Sequence, residues 1–322
     1  MTQAERGRRG WLVLWALLFA MVACQAEMPA AGAQCIVRAA AVQRQDGYIV
    51  GLLYQQPAEA ADASQAQEQM RLAWGQGDTL DEAYEAAEKL LPGQPVYKLC
   101  DSVLLCGSRL ADTLQAQRQQ VEGGGRGRLS ARVMVWQGGA AALSAAADEQ
   151  QTALADALES MQKDAPRLYQ ARSGAVLAPV LSWEDETFVQ DGLLYLAGQP
   201  LLLTDQAAQA ALLLRDGRAR LEYVLPDGSR AQLRAWGSVV PDGAGAARLQ
   251  VWAMVSGAAD TEENSRLLTG WLERLCLTVW ERTAEETADL PGTQTLLALR
   301  YGTEPRPAVR RSCQVRLWLL GR

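Results

Sequence analysis

Gly77-Asp78-Thr79-Leu80-Asp81-Glu82-Ala83 carries a complete helix-start signal. Thr79 and Glu82 form a Thr-x-x-Glu capping box, in which each side chain satisfies a backbone N–H that has no helical partner. Leu80, Ala83, Tyr84, Ala87, Leu90 and Leu91 then keep 3.6-residue spacing until Pro92-Gly93 stops the helix. Upstream, Cys35–Val42 and Tyr48–Tyr54 predict two strands joined at Gln45-Asp46-Gly47, a hairpin signal. Gln55–Gln69, rich in Ala, Gln, Glu and Asp, predicts a mobile connection. Downstream, Val96–Gly107 predicts a buried strand.

The same punctuation continues along the chain. Leu110–Val121 predicts a short helix, Gly123-Gly124-Gly125-Arg126-Gly127 a flexible loop, Leu129–Trp136 a strand and Ala141–Gln162 an Ala-rich helix. After Pro166 the texture changes. Asp191–Leu196 and Leu201–Leu203 flank a turn at residues 197–200, and Thr204 caps a helix through Leu214 that ends near Gly217. Arg220–Leu225 and Arg230–Trp236 flank Pro226-Asp227-Gly228-Ser229, a second hairpin signal. Arg248–Ser256 is strand-like, with Leu249, Val251 and Ala253 on one face. Thr261–Arg282 is helical, with Leu268, Trp271, Leu272, Leu275 and Val279 on one face. Leu296–Tyr301 and Ser312–Leu320 predict closing strands. Hairpins mixed with single helices, without regular βαβ alternation, argue an α+β fold of two to three mixed modules.

The 322 residues include six Cys, ten Trp and no His. Without an imidazole, Ser-His-Asp and Cys-His nucleophilic sites are excluded, as are His-containing zinc sites. The formal charge is −6. Residues 1–23 hold Arg6, Arg8 and Arg9 against Glu5, so the remainder carries −8. Such a balance disfavours phosphate backbones, and no nucleic acid is expected as a partner.

Residues 1–23 read as an export signal. The basic Arg6-Gly7-Arg8-Arg9 precedes an apolar run from Trp11 to Ala23, and polar Gln25-Ala26-Glu27 follows. Such a run spans about 20 Å as a helix, short of a bilayer core of about 30 Å, so a cleaved signal fits better than a transmembrane anchor. Met21-Val22-Ala23-Cys24 resembles a bacterial lipobox in which Cys24 takes a diacylglyceryl group, and two acyl chains hold a protein on a membrane stably.

Of the remaining cysteines, Cys35, Cys100, Cys106, Cys276 and Cys313, none forms a CxxC, so neither a zinc ribbon nor a thioredoxin-like site is supported, and no metal site is expected. Cys100 and Cys106, set on one predicted strand, are too far apart to bridge. Cys276 and Cys313 form a candidate disulfide if helix and last strand pack together; otherwise they are buried thiols. Ser160-Met161-Gln162-Lys163 matches a Ser-x-x-Lys motif, but no Lys-Thr-Gly accompanies it. Trp183-Glu184-Asp185-Glu186 offers paired carboxylates or a solvated charge run. Trp136, Trp252 and Trp271 fall inside apolar patterns, which suggests core positions. No catalytic residues and no cofactor site emerge.

Taken in order, these segments resemble the Ger(x)C family, the lipoprotein C subunits of bacterial spore germinant receptors. Val37–Gln55 is similar to that family's opening hairpin. Gly77–Ala83, Pro95-Val96-Tyr97-Lys98-Leu99 and Leu104-Leu105-Cys106-Gly107 are similar to the block that follows it, and Arg128–Gly138 to the next strand. Pro179 with Asp191–Gly217 resembles the small middle domain, and Gln314-Val315-Arg316-Leu317-Trp318-Leu319-Leu320-Gly321 the closing strand. The family's Trp-Asp after the lipidated cysteine is replaced by Gln25-Ala26.

The resemblance implies a lipoprotein signal peptide (1–23), an N-terminal domain (24–172), a small middle module (173–217) and a C-terminal domain (218–322). It also implies a non-enzymatic subunit on the extracytoplasmic face of the spore inner membrane, acting in nutrient-triggered germination. Its implied partners are a channel-like multi-span A subunit and a permease-like B subunit. Two other readings stand beside it: a free-standing extracytoplasmic lipoprotein that binds a solute or envelope polymer, and a serine enzyme using Ser160 and Lys163.

Overall fold

The structure is a computed structural model that describes residues 34–56, 69–173, 176–197, 200–284, 289–302 and 304–320. The expected leader, Cys24 and residues 57–68 of the expected mobile connection lie outside the described residues.

A nine-stranded mixed sheet forms first. β1 (Gln34–Arg44) pairs antiparallel with β2 (Tyr48–Gln56), and β2 with β3 (Gln69–Gly77). The capping box forms as read: Glu82 N–H donates to Thr79 Oγ1 at 3.2 Å, and Glu82 Oε2 accepts from Thr79 N–H at 3.2 Å. It starts α1 (Leu80–Glu88), which buries Leu80, Ala83, Tyr84 and Ala87. Glycine lets this helix sit directly on β3, since a Cβ on Gly75 would stand 2.2 Å from the Ala87 nitrogen and one on Gly77 2.6 Å from the Ala83 nitrogen.

Val96–Gly107 is not one strand. It divides into β4 (Gln94–Val96), a 3₁₀ turn at Tyr97–Leu99 and β5 (Ser102–Cys106). Both strands pair parallel to β1, at Gln34–Ile36 and at Ala39–Gln43 respectively, and the turn takes the chain between those two stretches. Cys100 lies in the turn's exit and Cys106 in β5, so the premise that both share a strand fails.

From β5 the chain does alternate. α2 (Leu110–Gly124), β6 (Arg132–Trp136), α3 (Ala140–Glu149), α4 (Gln151–Met161) and β7 (Val176–Glu184) carry a parallel series in which β5, β6 and β7 follow β1 side by side. Alternating βα units over residues 102–184 thus sit beside hairpins, and the fold is mixed α/β. Gly123 and Gly124 belong to α2, which ends at Gly125 in the left-handed region (φ 69°), the conformation a glycine C-cap supplies. The predicted Ala-rich helix is two helices broken at Gln150. β8 (Thr187–Leu196) and β9 (Leu201–Leu203) complete the sheet in antiparallel pairing.

α1 and α2 cover one face, where the Tyr84 hydroxyl donates to Gln117 Oε1 at 2.9 Å. Arg126, just past α2, ties the two helices through Glu88 at 2.9 Å and through Asp81. α3 and α4 cover the opposite face, over Leu104, Met134 and Leu181. Strands buried on both sides read as continuous apolar runs, as Ser102–Cys106 does.

α5 (Asp205–Asp216) leads to a four-stranded sheet of β10 (Arg218–Val224), β11 (Arg230–Pro241), β12 (Ala246–Ser256) and β13 (Arg310–Leu319), in that spatial order. β10, β11 and β12 are antiparallel neighbours, and β13 runs parallel to β12. α6 (Glu262–Arg282) packs with α5 on the inner face, where Leu213, Leu233, Val251, Leu268 and Leu272 meet.

Leu296–Tyr301, expected as a strand, lies in α7 (Thr293–Tyr301). The buried Asp289 carboxylate accepts Thr293 N–H at 2.7 Å and Trp280 Nε1–H at 3.0 Å, and so starts that helix. Six apolar-rich residues are too few to separate the two periods.

Candidate functional site

The residues singled out for chemistry do not converge. Ser160, in the last turn of α4, donates its hydroxyl to the Ala157 carbonyl at 2.8 Å, the backbone bond a serine commonly makes in a helix. Lys163 is exposed beyond the helix end and makes no hydrogen bond to Ser160 among the described residues. Glu184-Asp185-Glu186 forms the tip of the β7–β8 hairpin. Asp185 (φ 47°) and Glu186 (φ 60°) both adopt the left-handed region that a two-residue turn of this hand requires, and all three side chains point to solvent. The carboxylates serve a turn. No group of three or more His, Cys, Asp or Glu side chains among the described residues could hold a metal ion.

The structure does bring Cys276 and Cys313 together. Cys276 is fully buried on α6 and Cys313 half-buried on β13. The Glu273 carboxylate accepts Val315 N–H at 3.2 Å and fixes helix against strand. The neighbouring Cys313 thiol, together with burial, raises the Cys276 pKa well above the ordinary value. Both are free thiols here. Cys35, Cys100 and Cys106 are buried apolar fillers, and burial pushes Cys35 up to about 11 and Cys100 up to about 12.

Sequence reasoning missed the outer face of the four-stranded sheet. Because α5 and α6 both pack on the inner side, every second residue of β10–β13 is left facing outward, and no helix among the described residues covers that face. The register aligns Arg218, Trp236, Trp252 and Arg316 in one row across the strands, and Arg220, Arg234, Met254 and Trp318 in the next. Trp236 is 43% exposed and Trp318 50% exposed. Trp252 had been expected in the core. With Leu249, Val251 and Ala253 inside, alternation forces it outside, so the signal was present in the pattern.

The electrostatics of this face differ from those of the chain. Glu222 is its acidic residue and pairs with Arg230 at 3.3 Å, while Arg248 pairs with Asp242 at 2.7 Å. Arg218, Arg220, Arg234 and Arg316 form no ion pair among the described residues.

α5 borders the face at the β10 edge, where Gln206 Oε1 accepts Glu222 N–H at 3.3 Å. Two adjoining grooves of about 550 and 630 Å³ run along this border, and Gln209, Arg220 and Arg234 line both. The first extends to Met254 and Leu320, the second to Lys163, Asp216 and Trp236. Guanidinium groups beside indole rings in a concave tract can hold carboxylates and flat apolar groups.

Fold and site together define a mixed α/β protein of two sheets, the smaller of which presents arginine and tryptophan on its outer face. Among solved structures, the crystal structure of the GerBC protein aligns over 87% of this chain and 96% of that chain, at 12% identity and a TM-score of 0.47. No family model matches the chain, and no curated protein matches it.

Proposed function

We propose that this chain is a non-enzymatic, lipid-anchored extracytoplasmic subunit of a germinant-receptor-like membrane complex, working by contact with its neighbours. The observation that carries this reading is the order of the Ger(x)C-like segments behind a signal run and a lipobox. Those segments coincide with framework elements: the opening hairpin is β1–β2, the Gly77–Ala83 block seats α1 on β3, and the closing strand is β13. The division at residues 24–172, 173–217 and 218–322 belongs to the same reading, as do the multi-span A and permease-like B partners and the spore inner membrane. Among the described residues no helix is long and apolar enough to cross a membrane.

In an oxidising compartment outside the cytosol, Cys276 and Cys313 are the pair that would close as a disulfide. Replacing Cys24 by Ala should move the chain from a detergent-dependent membrane fraction to the soluble one, read by fractionation and immunoblot. Membrane attachment that survives the substitution contradicts the anchor.

A further inference from the structure

We propose that the outer face of β10–β13 is a docking surface for an acidic polypeptide segment, with Arg220 and Arg234 gripping its carboxylates. An apolar side chain of the same segment lies across Trp236 and Trp252. This rests on the reading of the chain as a subunit that acts by contact.

Three observations select that occupant. The first is charge: a chain of net charge −6 presents here four arginines without acidic partners among the described residues, in two adjacent rows. Attraction to an anionic group is therefore local and short-ranged, and a long polyanion would meet the acidic remainder of the molecule. The second is composition. Trp, Met and Arg populate the centre of the face and Lys is absent from it, the pattern of protein–protein contact surfaces. The guanidinium fork matches a carboxylate bidentately. The third is shape. The arginines line grooves of about 550 and 630 Å³ between α5 and the sheet, which suit a few side chains of an inserted segment rather than a flat bilayer.

The test uses the full chain in detergent micelles and a fluorescein-labelled octapeptide of alternating Glu and Leu, followed by anisotropy. Alternating Lys-Leu and Ser-Leu peptides, oligo-dT and vesicles containing anionic phospholipid are the comparisons. Saturable binding of the acidic peptide is expected, weakened roughly tenfold in Arg220→Ala and in Arg234→Ala and abolished in the double variant. Both side chains are exposed, so the fold should persist, and an unchanged circular dichroism melt checks it. Absent binding, binding indifferent to both arginines, or a preference for the vesicles or oligo-dT overturns the proposal. Co-purification of a multi-span partner with an Arg220→Glu, Arg234→Glu chain also overturns it while leaving the subunit reading intact. Peptide binding by a chain that recruits no such partner supports the surface and removes the receptor.

Discussion

Asp289 shows how much one buried side chain can organise. It is 3% exposed and accepts from Trp280, from the Thr293 backbone and from the Thr293 hydroxyl, which in turn accepts Ala308 N–H at 2.9 Å. Replacing it by Ala would leave those donors buried without acceptors. Destabilisation by about 2–3 kcal/mol is expected in urea unfolding, and an unchanged midpoint would contradict the network's role. The Cys276–Cys313 pair supplies a pH dependence. Thiolate is the attacking form, and a raised pKa lowers its fraction at any given pH. Exchange with oxidised glutathione, in which the two thiols lose two protons, form one S–S bond and reduce the glutathione disulfide to two thiols, should therefore quicken from pH 7 to pH 9. Peptide mapping should then find 276 joined to 313. Oxidation elsewhere, or a rate independent of pH, would contradict the contact.

Elements follow from local rules only where a second constraint agrees with them. The capping box, the Pro226–Ser229 hairpin and the α6 stripe were legible because capping chemistry, periodicity and stop signals coincide. β3 was not, although Met70, Leu72 and Trp74 alternate: residues 70–77, lying between the connection expected through Gln69 and the capping box, received no element. β7 was hidden by Pro179, a residue usually confined to strand edges. Here β6 pairs only with Val180 and Leu181 of β7, so the proline lies beyond the β6 ladder while staying opposite Leu193 in the β8 ladder. The site was less legible than the fold: an exposed face exists only once both helices are known to pack on the other side. Packing of α1 on β3 yields a pair of opposite expectations. Gly75→Ala forces its Cβ against the α1 backbone and should cost about 1–3 kcal/mol, whereas Gly123→Ala, in helical backbone with nothing within 4 Å, should stabilise by about 0.5–1 kcal/mol. Equal effects in thermal unfolding would contradict the close approach.

At the scale of the whole molecule, the two sheets divide the work. The nine-stranded sheet is covered by helices on both faces and buries its strands. The four-stranded sheet is covered on one face and leaves arginine and tryptophan open on the other. That asymmetry is what the proposed docking role would use: a body to carry a surface, and an open surface for the proposed acidic segment. The most direct measurement is affinity purification of the full-length tagged chain from detergent-solubilised membranes after brief cross-linking, with mass spectrometry of what accompanies it. The account predicts a chain beginning at an acylated Cys24, recovered with a multi-span membrane protein. Recovery of an unprocessed chain that retains its first 23 residues, alone and free of membrane partners, would contradict it.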